Sequence, residues 1–196
     1  MKSQPIRVGF DLDGVILYNP VRLARPLIVL AKKILGKDLR KFHYPRSKIQ
    51  RFIWTLLHKS SLWIAPGFED VKRLVQQKKI IAYIVTARYE FLKDDFQKWL
   101  DRIEAKKYFT GCYLNNDDEQ PYLFKADEIK RLDLDYFLED NWDIVQFINK
   151  IQETRGKKSG GAKIFWITNV FDRNVPYPYK FLRLKDAVKQ IESELS

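Results

Sequence analysis

Apolar and polar positions along the chain follow two alternating periods. Ile6 to Phe10 is a short apolar run that stops at Asp11-Leu12-Asp13-Gly14, which predicts a buried strand ending in a turn. Pro26 to Leu35, with Pro first and Gly36 just past the end, predicts a helix. Ser47 to His58 predicts a second one, with Ile49, Phe52, Ile53, Leu56 and Leu57 along a single stripe. Ala65-Pro66-Gly67 breaks the pattern. Beyond it the expected elements are a helix (Phe68 to Gln77), a strand (Ile80 to Val85) and a helix (Phe91 to Ala105). The alternation then continues with a strand (Gly111 to Asn115), a helix (Ala126 to Leu132), a strand (Tyr136 to Leu138) and a helix (Ile144 to Glu153). A Gly/Lys loop from Arg155 to Gly161 leads to a last strand (Ile164 to Thr168), and Leu184 to Leu195 reads as the final helix.

Strands alternating with helices imply βαβ units, and so an α/β fold with a doubly wound parallel sheet. Only the step from the first strand to the second departs from this. Residues 16–65 form a helical insertion there, read as a small cap, which leaves 1–15 and 66–196 as the core. Charge sharpens that division. The insertion carries 11 Lys and Arg against the single acid Asp38, whereas the remaining 25 basic and 24 acidic residues nearly cancel. A surplus so confined fits a face turned toward an anion and fits equally a solvated helical surface.

Composition removes several classes. An aromatic content of 14% is too high for a disordered chain, and the single cysteine, Cys112, excludes a disulfide scaffold and suits a reducing compartment. Met1 to Pro5 is polar, so no secretory leader is expected, and Lys32 and Lys33 interrupt the longest apolar stretch well short of a bilayer span. The expectation is a soluble, cytoplasmic protein without a transmembrane segment. Its oligomeric state is not readable from the sequence.

Open parallel sheets bind ligands beyond the carboxyl ends of their strands. Asp11 and Asp13 follow the first predicted strand, and Thr86, Ala87 and Arg88 follow the second. Lys125 precedes a short helix, while Glu139, Asp140 and Asn141 follow Tyr136 to Leu138. Carboxylates converging on one crevice repel one another unless a cation lies among them. All-oxygen donors suit Mg²⁺, and a Lys and a Thr beside it can hold phosphoryl oxygens. An aspartate can itself attack phosphorus and divide one hard displacement into two easier ones.

In order and context these residues resemble the haloacid dehalogenase (HAD) superfamily of aspartate-nucleophile phosphohydrolases. The elements are Phe10-Asp11-Leu12-Asp13-Gly14-Val15, Ile84-Val85-Thr86-Ala87-Arg88, Lys125, and Phe137-Leu138-Glu139-Asp140-Asn141, and they cover nearly the whole chain. Within it the chain is similar to the 5′(3′)-deoxyribonucleotidase-like branch. That narrower likeness rests on the early helical cap, Pro66-Gly67 before a helix, Thr-Ala-Arg, the Lys-Ala-Asp-Glu-Ile-Lys run and Pro176-Tyr177. The resemblance implies a Rossmann-like core and a role for each residue. Asp11 would be the nucleophile, and Asp13 the acid and then the base. Thr86 and Lys125 would bind the phosphoryl group. Ala87 and Arg88 are read beside the substrate or its phosphate, with a surface ion pair as the alternative for Arg88. Asp11, the backbone carbonyl of Asp13 and Asp140 would hold Mg²⁺, with Glu139 contributing through a water.

The implied function is a Mg²⁺-dependent phosphomonoesterase acting on a small phosphorylated metabolite, with a nucleoside monophosphate foremost. A phosphatase for nucleic-acid ends or lipid headgroups is a second reading, drawn from the basic cap. A catalytically silent binder of RNA or protein is a third, which the intact acidic and Lys positions argue against. Trp54 lies roughly 120° from the stripe on its helix, where it either stacks on a base or packs at the core edge. Asn115 and Asn116 read as turn residues. His43 and His58 read as solvated, Trp63 as hinge or core, and Cys112 as inert core. Taken alone, Glu139-Asp140-Asn141 also reads as a helix cap.

Overall fold

The computed structural model describes residues 5–18, 44–59, 63–154, 161–169, 172 and 174–195. The predicted helix at Pro26 to Leu35, and His43, lie outside them. Strand β1 (Ile6–Phe10) leads into a tight turn and a two-residue strand β2 (Leu17–Tyr18). Helix α1 (Lys48–Lys59) follows, and β3 (Trp63–Ile64) pairs antiparallel with β2 as a small hairpin. Then come α2 (Phe68–Gln76), β4 (Ile80–Tyr89), α3 (Lys93–Arg102), α4 (Ala105–Tyr108) and β5 (Phe109–Asn115). The remainder is α5 (Pro121–Arg131), β6 (Tyr136–Glu139), α6 (Trp142–Thr154), β7 (Lys163–Ile167), β8 (Lys180–Phe181) and α7 (Leu184–Glu194).

Six strands form one parallel sheet in the order β5-β4-β1-β6-β7-β8. Each central strand is apolar on both faces, as burial between two helical layers requires. On one face Val8, Phe10 and Ile84 pack with Val71 and Leu74 of α2, Phe96 and Trp99 of α3, and Val188 and Ile191 of α7. On the other, Val85, Phe137 and Trp166 pack with Ile129 of α5 and with Ile144, Val145 and Ile148 of α6. This is the doubly wound α/β architecture that the alternation implied.

Several boundaries differ from the sequence reading. β4 runs four residues past Val85, so Thr86, Ala87 and Arg88 stand on the strand, whose register against β5 shifts between Thr86 and Tyr89. α5 begins at Pro121, and Lys125 therefore lies inside it rather than before it. The expected helix from Phe91 to Ala105 is divided, because Glu104 takes a left-handed backbone (φ 54°) between α3 and α4. The hairpin and β8 are too short for a periodicity to announce them.

The largest correction concerns α1. Its apolar stripe does not enter a core: Ile49 is 73% exposed, Phe52 63% and Leu56 52%. The half-buried positions are Trp54, Thr55 and His58, on the opposite side of the helix. Trp63 is likewise exposed and not core.

Candidate active site

β1 is the switch point of the sheet, with β4 on one side and β6 on the other. Its carboxyl end therefore meets the ends of both neighbours, and this is why residues far apart in sequence converge here. The Asp11 amide donates to the Leu138 carbonyl at 3.0 Å, which fixes the end of β1 against β6. The chain then turns through Gly14, whose φ of 82° is open to glycine and strained for other residues. The Gly14 amide donates to the Leu17 carbonyl at 2.8 Å and closes the turn. Asp11 and Asp13 are thereby held on a short loop tied to β6 at one end and to the hairpin strand β2 at the other.

Asp11, Glu139 and Asp140 each place a carboxylate oxygen within 4.8 Å of the others. Lys125 reaches into this group from α5. Its Nζ lies 2.8 Å from Asp11 Oδ2 and 2.6 Å from Glu139 Oε2, and all three side chains are buried. Burial, reinforced by the neighbouring carboxylates Glu139 and Asp140, pushes the Asp11 carboxyl well above the usual carboxylate range against the pull of Lys125. Glu139 is pushed up in the same way, mainly by burial. Lys125 is held above the ordinary lysine range, because Asp11 and Glu139 outweigh the burial that opposes its charge. Three carboxylates facing one ammonium leave negative charge unbalanced, and a hard divalent cation fits such a set of oxygen donors.

Supporting bonds orient these groups. Glu139 Oε1 accepts from the Asn141 amide at 2.9 Å, while Asn141 Oδ1 caps α6 by accepting from the Asp143 amide at 3.0 Å. The capping expectation thus holds for Asn141, whereas Glu139 faces Lys125. Trp166 Nε1 donates to the Asp140 carbonyl at 3.1 Å, and the Trp166 ring stacks on Trp142 at 4.2 Å between centroids. Tyr177 joins the same aromatic group and donates to the Ile164 carbonyl at 2.7 Å. Behind Asp140 there is therefore a packed aromatic wall.

Thr86 is buried beside β1, and its Oγ1 accepts from the Arg88 amide at 3.4 Å. Ala87 is half-buried next to it. The Arg88 guanidinium is only 1% exposed. Its Nε and Nη2 donate to the two oxygens of Asp13 at 2.7 and 2.8 Å, and its Nη1 donates to Asp95 at 2.6 Å. Burial alone would raise the Asp13 carboxyl, but the charge and hydrogen bonds of Arg88 hold it well below its usual range. The sequence left Arg88 between the substrate and an ion pair; here it pairs with two carboxylates.

Two neighbours escaped the sequence reading. Asp95 carries no motif around it. His58 was expected in solvent, yet its Nδ1 lies 3.4 Å from Asp13 Oδ2 and its side chain is only 21% exposed. Helical spacing did hold a signal, since His58 and Trp54 share the side of α1 opposite its apolar stripe. Trp54 is half-buried on that side. Asn115 behaves as the expected turn residue, accepting from the Glu119 amide at 3.0 Å. Cys112 is a half-buried strand residue whose thiol is pushed up to about 11 by burial.

No protein-family model matches the chain, and no curated protein matches it. Solved structures do. A HAD-superfamily hydrolase from Ehrlichia chaffeensis superposes with a TM-score of 0.56 at 14% identity, over 100% of both chains. The fold is that of the HAD hydrolases. A Bacillus subtilis protein described as a HAD-hydrolase, solved bound to magnesium, gives a TM-score of 0.59 at 13% identity, covering 97% of this chain and 100% of that one. CbbY from Rhodobacter sphaeroides, solved in complex with phosphate, gives 0.54 at 13% identity, covering 92% and 95%. Asp11, Glu139 and Asp140 lie where β1 and β6 end, and Lys125 reaches them from α5.

Proposed function

We propose that this chain is a Mg²⁺-dependent phosphomonoesterase that works through an aspartyl-phosphate on Asp11. The observation that carries the reading is the buried Asp11 carboxylate paired with Lys125 beside Glu139 and Asp140. A magnesium ion in one structural neighbour and a phosphate in another are in keeping with it. Asp11, Asp140 and the backbone carbonyl of Asp13 would hold the cation, with Glu139 contributing through a water. When bound, the cation supplies charge neutralisation for the phosphoryl oxygens and the attacking carboxylate.

The chain's own residues supply the rest. Asp11 attacks phosphorus; the ester oxygen leaves with the bridging electron pair and takes a proton from Asp13. A water then attacks the acyl phosphate, gives its proton to Asp13, and releases inorganic phosphate and free Asp11. Lys125 pulls Asp11 toward its ionised form and aligns it, and Thr86 donates its hydroxyl to a phosphoryl oxygen. Arg88 governs when Asp13 can carry a proton. The clamped geometry favours the ionised base of the second step, and acting as acid requires Asp13 to swing clear of the guanidinium.

The substrate class is a small phosphorylated metabolite, a nucleoside monophosphate foremost. Residues 16–65 form the cap over a core of 1–15 and 66–196, and Trp54 and Ala87 border the organic part of the substrate. A panel of nucleotides, sugar phosphates and aryl phosphates, assayed with and without Mg²⁺, tests this. Asp13→Asn should lose about 10²–10⁴-fold on alkyl esters and clearly less on an aryl phosphate, whose leaving group needs no acid. Equal losses on both would remove Asp13 from the acid's role.

A further inference from the structure

Helix α1 is amphipathic in the reverse of the usual sense. Its half-buried side carries Trp54, Thr55 and His58, and its water-facing side carries Ile49, Phe52, Ile53 and Leu56, each 48–73% exposed. Helices of globular proteins normally turn such a stripe inward, because each large side chain loses about 1.5–3 kcal/mol of burial when left in water. The stripe has company. The adjoining hairpin exposes Tyr18 and Trp63, whose rings lie 6.3 Å apart. Tyr and Trp are the side chains that favour the boundary between water and lipid.

Position adds a second observation. Among the described residues, the remaining large apolar groups that face water are Ile64 on the hairpin, Leu123 and Leu182. Leu123 opens α5 after β5, and Leu182 follows β8 directly. Since all six strands of the sheet are parallel, these two stand at its carboxyl edge, where Asp11 and Asp140 also lie. The hairpin is tied to that same edge through the Lys185 amide, which donates to the Pro66 carbonyl at 3.1 Å. Exposed apolar surface is thus concentrated on the side of the molecule where the candidate site opens.

Charge selects the occupant. α1 and the turn before it carry Arg46, Lys48, Arg51 and Lys59 and no acid. Two copies meeting through this face would set like charge against like. A nucleic acid would satisfy the cations but would not bury Ile49, Ile53 or Leu56. An anionic lipid surface answers both, taking the apolar stripe into the acyl boundary and the lysines among its headgroups. We propose that α1 and the β2–β3 hairpin are a docking surface for anionic membranes. No described helix is long and apolar enough to cross a bilayer, and the contact proposed is a peripheral one. Docking would hold the catalytic edge against the lipid surface, with His58 at the end of α1 within 3.4 Å of Asp13.

Vesicle co-sedimentation of the full chain tests this without reference to turnover. Vesicles of phosphatidylcholine mixed with phosphatidylglycerol should bind the protein at least about tenfold better than phosphatidylcholine alone, and the advantage should fade as salt rises. Phe52→Ser/Leu56→Ser, which alters only exposed side chains, should melt like the parent and bind the anionic vesicles at least about tenfold more weakly. If that variant melts early, Ile49→Ser and Trp63→Ser replace it with the same expectation. Asp11→Asn should dock as well as the parent, so failure of the phosphatase reading would not disturb this result. The proposal is overturned if the two vesicle types bind alike or neither binds. It is also overturned if the stripe variants retain full binding, or if the stripe proves to hold a dimer in solution. Oligonucleotide binding that displaces the vesicles and survives the stripe substitutions would assign the basic face to nucleic acid instead.

Discussion

Arg88 grips Asp13 with two hydrogen bonds, Nε to Oδ2 at 2.7 Å and Nη2 to Oδ1 at 2.8 Å. Asp13 is in this way the counterpart of Asp11 two residues earlier. One carboxyl is pushed up by burial and by its acidic neighbours, and the other is held down by a guanidinium. That order is the reverse of the proposed roles, which need Asp11 ionised to attack and Asp13 protonated to act as acid. Asp11 must therefore be lowered by a divalent cation, and Asp13 must leave the guanidinium.

Removing the clamp tests the second requirement. In Arg88→Ala, Asp13 loses the charge that holds it down, so it gains a proton at higher pH. The acid-side inflection of kcat/KM should move up by about 1–3 pH units, the usual effect of an adjacent arginine on an aspartate. Stability should fall by about 3–5 kcal/mol, because Asp13 and Asp95 are left without their partner. An unmoved inflection in a folded variant would show that Arg88 does not govern Asp13.

Magnesium should stabilise the protein more at alkaline than at acid pH. Asp11 and Glu139 have folded-state values above their ordinary ones, so they add stability while protonated and lose it as pH rises through those values. Mg²⁺ binds the ionised form and offsets the loss. Asp13, held low, stays ionised throughout the window and contributes nothing to the change. The rise in Tm on adding Mg²⁺ should therefore be larger at about pH 8 than at about pH 5. An equal or smaller rise at the higher pH would contradict the metal assignment.

Gly67 precedes α2 with φ at 106°, and a Cβ there would strike the backbone N and Cα of Lys185 at the start of α7. Gly67→Ala should cost about 1–2 kcal/mol from the left-handed backbone and more from the collision, since main chain cannot step aside. Urea unfolding measures it, and a loss below about 0.5 kcal/mol would mean that the α2–α7 junction yields freely.

The sheet was legible because each buried strand is a short apolar run closed by a polar or glycine turn, as in Ile6–Phe10 before Asp11-Leu12-Asp13-Gly14. Asp11 and Glu139 followed from that reading because they stand where β1 and β6 end, whereas Thr86 lies within the longer β4. Lys125 could be singled out, but not its place within a helix, because Pro121 starts α5 without a periodicity to mark it. Two groups around the Asp13–Arg88 pair were hidden for different reasons. Asp95 reaches Arg88 through a tertiary approach that no spacing encodes. His58 lies on the helix side that an inward-facing apolar stripe would have sent to solvent. The usual inside-out rule failed on α1, and its failure both concealed His58 and left Phe52 and Leu56 in water.

The central claim is that Asp11 is the nucleophile, and one rate decides it most directly. Phosphate release from an aryl phosphate at saturating Mg²⁺ should be readily measured for the parent chain and abolished in Asp11→Asn. The amide cannot attack phosphorus, while the substitution keeps the side chain's size and its place beside Lys125, so the variant should still melt cooperatively. Residual activity within about tenfold of the parent, a difference of only about 1.4 kcal/mol in barrier, would contradict covalent catalysis at Asp11.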